Sequence, residues 1–499
     1  MFKKILIANR GEIVTRVART CREMGIATVA IYSKADESSP HIHAADEAVC
    51  VGPGESVKSY LNSEAILAIA RKTNADAVHP GYGFLSENGT FAGAVKDAGL
   101  TFIGPSPESL LTVGNKIIAR RTVNELGVPV IPAIEDFSVA SASLKSQVDA
   151  MGYPLLIKAA SGGGGKGMRI VREEADLLNA VEAAQREAAA SFSDGNVYLE
   201  RFLERPRHIE VQILGDGTGE VVHLGERECS IQRRYQKIIE ETPSPALSDS
   251  LRAEMVDAAI RVAKAANYHN AGTVEFIVEG DNFYFLEVNA RLQVEHPITE
   301  WVTGMDLVRE QIRIAAGETL NYRQQDVSWN GHAIECRLYA EDCSRDFRPS
   351  PGRVLVWRSP EGPGVRVDSG IESQTEVPVY YDPMIAKIST WGLTREKART
   401  RMSRALEDTA IAGITTNLPY LAELIRHEAF VNGDTHTEFL PEHFTNWQNP
   451  TSTDILAAAF AAAVDDEAMF GPTDVKGTGP KQQNLWRELG LWRVSSGHQ

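Results

Sequence analysis

The chain has 499 residues, 43% of them hydrophobic and 24% charged, which is the balance of a globular protein with enough apolar material for several cores. At about 100–200 residues per domain, that length corresponds to two to four structural units. The formal net charge of −16 argues against a broad nucleic-acid-binding surface, which is normally basic. It does not argue against anionic small molecules, which a local cluster of cations and backbone N–H groups can hold inside an acidic protein.

Five cysteines (Cys21, Cys50, Cys229, Cys336 and Cys343) are scattered with no C-x-x-C pair. Neither a disulfide framework nor a zinc site is expected, and a reducing cytoplasm is the natural setting. The apolar stretch in the N-terminal MFKKILIANRGE is too short for a signal peptide. No run approaches the ~20 apolar residues of a membrane span.

In chain order, residues 4–8 (KILIA) read as a buried strand, 9–11 as a turn and 12–24 as an amphipathic helix with Ile13, Val17 and Cys21 on one face. Gly25 stops that helix, and residues 28–32 (TVAIY) form the next strand. A helix over 63–72 leads to a strand at Ala77-Val78 and a turn at 79–83 (HPGYG). This strand–helix rhythm predicts a parallel sheet flanked by helices.

A second segment starts near Lys116. A strand ending in Lys158 precedes the glycine-rich stretch 161–167 (SGGGGKG). Between 198 and 295 the pattern alternates through YLERFL, HIEVQILG, EVVHLGE, TVEFIVEG and FYFLEVNA, with Gly280-Asp281-Asn282 as a hairpin signal, and predicts an antiparallel sheet. Short strands follow over 332–391, then helices over 395–407 and 418–427. The tail holds an Ala-rich helix over 454–470, a Gly/Pro/Thr linker over 471–481 and a segment with Trp486 and Trp492.

Four features carry chemistry. Serial glycines let backbone N–H groups approach a polyphosphate, and a lysine adds charge, although SGGGGKG is neither a Walker A loop nor G-x-G-x-x-G. In isolation such a stretch could be a linker, but Lys158 at the end of an apolar strand needs an anion or a paired acid. Glu275 and Glu287 lie on neighbouring strands, with Asn289 on the same face as Glu287. Two carboxylates beside a phosphate site suit Mg²⁺, whereas alone they would read as solvated strand acids.

EVNARLQVEH (287–296) sets Glu287, Asn289, Arg291, Gln293 and Glu295 at alternate positions, on one face if the strand continues. Arg291 could hold a planar oxyanion and Glu295 could accept a proton. Finally, Arg233-Arg234-Tyr235-Gln236-Lys237 is a small basic cluster, either a solvated loop or a second source of positive charge for that anion.

Taken together, these residues resemble the biotin carboxylase family of the ATP-grasp superfamily. The matching stretches are KILIANRGEI (4–13), HPGYGFLSEN (79–88), Lys116, KAASGGGGKGM (158–168), HIEVQ (208–212), ECSIQRR with QK (228–237), EFIVE (275–279), EVNARLQVEHPITE (287–300), HAIECRLYAED (332–342) and YYDPMIAKI (380–388). They run in order over roughly residues 1–445.

The resemblance implies an α/β and α+β architecture, the ATP-grasp fold: an N-terminal parallel αβ domain over 1–115, an ATP-grasp region over 116–315 with a mobile lid at about 132–202, and a mixed C-terminal domain over 330–445. Residues 446–499 exceed that family pattern, and their Ala-rich helix and Trp486–Trp492 segment are expected to dock a partner subunit.

The resemblance also implies site roles. Lys116, Lys158, Gly164, Gly165, Glu200, Arg201, Phe202, Leu203, His208 and Tyr235 would contact ATP. Glu275, Glu287 and Asn289 would hold Mg²⁺ or Mn²⁺. Lys237, Arg291, Gln293 and the N–H of Val294 would hold bicarbonate, with Glu295 as base. Arg337, with Tyr82 nearby, would hold the ureido oxygen of biotin. Arg291, Glu295, Lys237 and Arg337 would be the catalytic set of this ligase. One position departs from the pattern: many relatives carry His where Tyr235 stands.

No Met-Lys-Met biotinylation motif occurs, so biotin is expected on a separate carrier protein, with a carboxyltransferase as a further chain and this chain as a homodimer. Acetyl-CoA, pyruvate and propionyl-CoA are all open as final acceptors. Another ATP-grasp ligase would share the glycine loop and metal acids but not the later motifs. A catalytically silent scaffold would be expected to lack Lys237, Arg291, Glu295 or Arg337.

Overall fold

The computed structural model describes residues 1–113, 116–135, 137, 142–159, 168–192 and 195–449, all within the unit Met1–Pro450. The glycines of 161–167, including Gly164 and Gly165, lie outside the described residues, as do the Lys116 side chain and the tail elements over 454–493.

The N-terminal segment begins with β1 (Lys4–Ile7), α1 (Glu12–Glu23), β2 (Ala27–Ser33) and β3 (Glu47–Gly52), followed by β4 (Ala77–His79) and β5 (Thr101–Phe102). They form a five-stranded parallel sheet in the order β3-β2-β1-β4-β5. Ile5, Leu6 and Ile7 are fully buried, as befits a central strand covered on both faces. The helix predicted over 12–24 ends one residue early, because Met24 is its C-cap and Gly25 adopts φ 70°, the left-handed geometry that closes a helix.

A four-stranded antiparallel sheet, in the order β6-β9-β7-β8, comprises β6 (Ala133–Ile134), β7 (Leu155–Ala159), β8 (Arg169–Val171) and β9 (Val197–Arg201). The YLERFL stretch therefore belongs to this smaller sheet and not to the large sheet that follows.

That large sheet has eight antiparallel strands. They are β10 (Arg207–Gly215), β11 (Val221–Arg233), β12 (Gln236–Thr242), β13 (Asn270–Glu279), β14 (Asn282–Asn289), β15 (His332–Tyr339) and the strands Val365–Ser369 and Met384–Gly392. The hairpin predicted at 280–282 joins β13 to β14, with Gly280 at φ 59°.

Alternation splits this sheet into an oily face and a charged face, because successive side chains point to opposite sides. On β10, Ile209, Val211 and Ile213 join the core that covers the helix Asp249–Ala265, while His208, Glu210 and Gln212 point the other way. On β15, Ile334, Cys336 and Leu338 join the core under the helix Arg395–Asp408, while Glu335 and Arg337 oppose them. The charged faces converge on α1, the helix His296–Thr303 and the cleft.

The strand continuation through residue 295, the condition for placing those polar residues on one face, does not occur. β14 ends at Asn289, and Arg291 to Glu295 form irregular backbone before the helix at His296. The alternate polar residues of 291–295 are gathered by a turn, not by a pleat.

Candidate active site

A cleft of about 1500 Å³ opens between the small sheet and the charged face of the large one. Every residue assigned a role from the sequence whose side chain is described lines it. Across its floor Glu210, Glu275 and Glu287 stand in one row, since Glu210 pairs with Glu275 and Glu275 with Glu287 in strand register. Like charges directly opposite one another are destabilising, so such a row demands cations.

The cations are present. Lys237 reaches Glu210 at 2.5 Å, Glu275 at 2.8 Å and Glu295 at 2.7 Å. His208 Nε2 lies 3.1 Å from the other Glu275 oxygen. Burial disfavours a charged carboxylate, but Lys237 and His208 outweigh it and hold Glu275 well below the usual carboxylate range. Glu295, equally buried, is held low by Lys237, Arg337 and Arg227. Arg337 donates to Glu240 at 2.5 Å and to Glu295 at 3.0 Å. Glu295 is thus an ionised carboxylate clamped between two cations.

The remaining polar groups extend this net. Gln293 Nε2 donates to Glu275 at 2.9 Å. Arg291 donates to Asn289 Oδ1 at 2.9 Å and pairs with Glu87 at 3.2 Å, and Glu87 also accepts from the N–H of Ala290 at 3.0 Å. Tyr82 and Val294 both face the cleft.

Glu275 and Glu287 in register, with the amide oxygen of Asn289 two residues on, make an all-oxygen donor set that suits Mg²⁺ or Mn²⁺.

On the small-sheet side, Lys158 at the end of β7 pairs with Glu200 of β9 at 2.5 Å, which supplies the acid that a lysine in this position requires. Glu200 also accepts from Arg120 at 2.7 Å. Arg201 turns to Glu279 at 2.8 Å and stacks towards Tyr284. The N–H of Phe202 donates to Pro154 at 3.0 Å, and Leu203 is buried in the wall. Tyr235 sits at φ 68° in the turn between β11 and β12, 59% exposed, with Arg234 beside it at φ 46°.

Four residues that the sequence reading did not assign hold this site together: Glu210, Arg227, Glu240 and Glu87. Arg227 has no exposed surface and donates to Glu210, Gln212, Thr273, Thr299 and Gln293. The signal for Glu210 lay in HIEVQ, where His, Glu and Gln alternate with aliphatic residues on a strand far too apolar to be solvated.

Comparison with known proteins finds family matches over most of the described unit. Residues 1–110 match the biotin carboxylase N-terminal domain, residues 115–323 the carbamoyl-phosphate synthase L chain ATP-binding domain, and residues 335–442 the biotin carboxylase C-terminal domain. The chain is 49% identical to biotin carboxylase 1 of Bacillus subtilis over 442 residues, 88% of this chain and 98% of that one. It is 50% identical to the biotin carboxylase of a Nostoc species over 442 residues, 88% and 99% of the two chains.

Among solved structures, an ATP-type complex of Campylobacter jejuni biotin carboxylase superimposes with TM-score 0.84 at 44% identity, covering 89% of this chain and 99% of that one. A biotin carboxylase domain dimer of Hydrogenobacter thermophilus 2-oxoglutarate carboxylase, holding ADP, magnesium and bicarbonate, gives the same score at 44% identity, covering 90% and 99%. With the fold, the row of acids and the clamped glutamate all in place, the chain belongs to the biotin carboxylase family.

Proposed function

We propose that this cleft carboxylates biotin carried on a separate protein, with ATP and bicarbonate as co-substrates and with the residue roles that follow. The carboxylation itself is the family's reaction, so the chain is a ligase. The observation that carries the role assignment is Glu295 held between Lys237 and Arg337, one cation at each of its two oxygens.

Bicarbonate binds against Arg291, Lys237, Gln293 and the N–H of Val294. The substrate anion draws Lys237 away from Glu295, which raises the basicity of that carboxylate and lets it take the bicarbonate proton. The deprotonated oxygen attacks the γ-phosphate of ATP to give carboxyphosphate and ADP. Lys116, Lys158 and His208 neutralise the phosphates. Glu275, Glu287 and Asn289 would hold a divalent ion, which would supply further charge neutralisation at the phosphates. Carboxyphosphate then yields CO₂ and phosphate inside the cleft. The phosphate takes the N1 proton of biotin, and Arg337 stabilises the oxyanion that forms on the ureido group.

We assign residues 1–115, 116–315 and 330–445 to the N-terminal, ATP-grasp and C-terminal parts of this machine, with 132–202 as a lid that excludes water. The carrier and the carboxyltransferase are further chains. The protein works in the cytoplasm as a homodimer, as the dimeric biotin carboxylase domain of the Hydrogenobacter thermophilus enzyme supports for the dimer; among the described residues no helix is long and apolar enough to cross a membrane.

The experiment is formation of carboxybiotin from labelled bicarbonate by the parent and by Glu295→Ala. The variant should bind ATP as the parent does and lose turnover by about 10²–10⁴-fold, the usual contribution of a general base. Turnover within a few-fold of the parent would overturn the assignment.

A further inference from the structure

The turn that presents Gln293, Val294 and Glu295 is held from behind by two residues that do not line the cleft. Lys387, on the strand Met384–Gly392, is 1% exposed. Its ammonium donates to the Val294 carbonyl at 2.6 Å, lies 3.3 Å from Glu12 Oε1 and sits 5.7 Å from the centre of the Tyr82 ring. In strand register Lys387 stands opposite Arg337 on one neighbouring strand and Asp368 on the other.

His296 is fully buried, with Nδ1 2.8 Å from the Gln293 carbonyl. A carbonyl only accepts, so Nδ1 carries the proton. Packing alone requires no ammonium at 387, where a buried charge is costly unless it is paired and hydrogen-bonded.

Peptide planarity converts these two bonds into orientation. In a trans peptide the C=O and the following N–H point in opposite directions. With the Gln293 carbonyl turned to His296, the Val294 N–H must face the other way. With the Val294 carbonyl turned to Lys387, the next peptide plane is fixed too. Both planes flanking the Val294 Cα are then set, and with them the direction in which Glu295 leaves the turn.

We infer that Lys387 and His296 are positioning residues of the carboxylation site, orienting the Val294 N–H and the Glu295 carboxylate through the backbone without touching substrate. This rests on the reading of 293–295 as the bicarbonate subsite.

The test is steady-state ATP turnover of the full chain with bicarbonate and ATP varied separately and free biotin present. Lys387→Met is combined with Glu12→Gln so that the carboxylate paired with the lysine is not stranded. The expected result is a bicarbonate KM raised about tenfold or more, the scale of one charge-assisted hydrogen bond, with lower kcat and an ATP KM within about twofold. Lys387→Arg should restore most of the loss, and His296→Leu should reproduce the split from the other peptide plane.

A folded double variant with the parent's bicarbonate KM and kcat overturns the inference, as does one in which both KM values rise together. Should the double variant not fold, His296→Asn, which moves the donor without deleting it, decides by the same split. A parent chain whose turnover ignores bicarbonate would instead defeat the reading of the subsite, which is a different result from unchanged variants of an active parent.

Discussion

Replacing Arg227 with methionine should damage both stability and bicarbonate use, and the structure sets the scale. Its guanidinium has no exposed surface and is spent on Glu210 at 2.5 Å, Gln212 at 2.7 Å, Thr299 at 3.0 Å, Thr273 at 3.1 Å and Gln293 at 2.6 Å. Glu210 is just as buried and stands beside Glu275, with Glu295 close by. Without Arg227, Glu210 is left to Lys237, which also serves Glu275 and Glu295. Breaking a buried ion pair from one side costs about 3–5 kcal/mol, a large part of the ~5–15 kcal/mol that holds a typical domain folded.

Urea unfolding should show that loss as a lower midpoint. Gln293, released from its acceptor contact, should let the bicarbonate KM rise while the ATP KM holds. Adding Glu210→Gln removes the stranded charge and should recover most of the stability but not the KM. An Arg227→Met variant within about 1 kcal/mol of the parent, or a double variant no more stable than the single, would refute the reasoning.

Other expectations are as specific. Glu287→Gln should raise the Mg²⁺ concentration for half-maximal turnover by about tenfold, and a metal titration reads it directly; an unchanged half-point would remove Glu287 from the donor set. Lys158→Met should raise the ATP KM with little change in the bicarbonate KM, because Lys158 lies on the small-sheet wall against Glu200.

Burial lowers His79 to about 4, so the unfolded chain takes up that proton near pH 6.5 and the folded chain only near 4. The contribution of His79 is therefore complete above pH 6.5 and lost as pH falls towards 4, by up to roughly 3 kcal/mol. His79→Asn should flatten the acid limb of unfolding midpoints between pH 4 and 6.5; identical slopes in parent and variant would contradict this.

The sequence made the local elements legible wherever period and punctuation agreed. The helix Ser63–Lys72 lies as predicted, with the Asn62 side chain capping the N–H of Ala65. The β13–β14 pairing was legible because a two-residue hairpin at Gly280-Asp281 joins the strands, but a bulge between Glu275 and Phe276 shifts the register by one residue, and it is this shift that sets Glu275 opposite Glu287.

Whether the strand continued over 291–295 was open in the sequence because a turn can also gather alternate polar residues, and the irregular path is held by Lys387 and His296, more than 90 residues apart in the chain. Arg227 was missed for a related reason: its partners lie on β10, β13 and the segments around residues 293 and 299, and only the folded sheet brings them together. The charged face of β15 was hidden as well, since HAIECRLY reads as a half-solvated strand until helix His296–Thr303 and the neighbouring strands bury both sides.

The most direct test of the central claim is release of ADP by the purified chain with Mg²⁺, measured with and without bicarbonate and free biotin, in parent and Arg337→Ala. The account predicts turnover that requires bicarbonate, rises with biotin and loses the biotin stimulation in the variant while ATP binding persists. ATP turnover indifferent to biotin, or stimulation that survives the loss of Arg337, would contradict it.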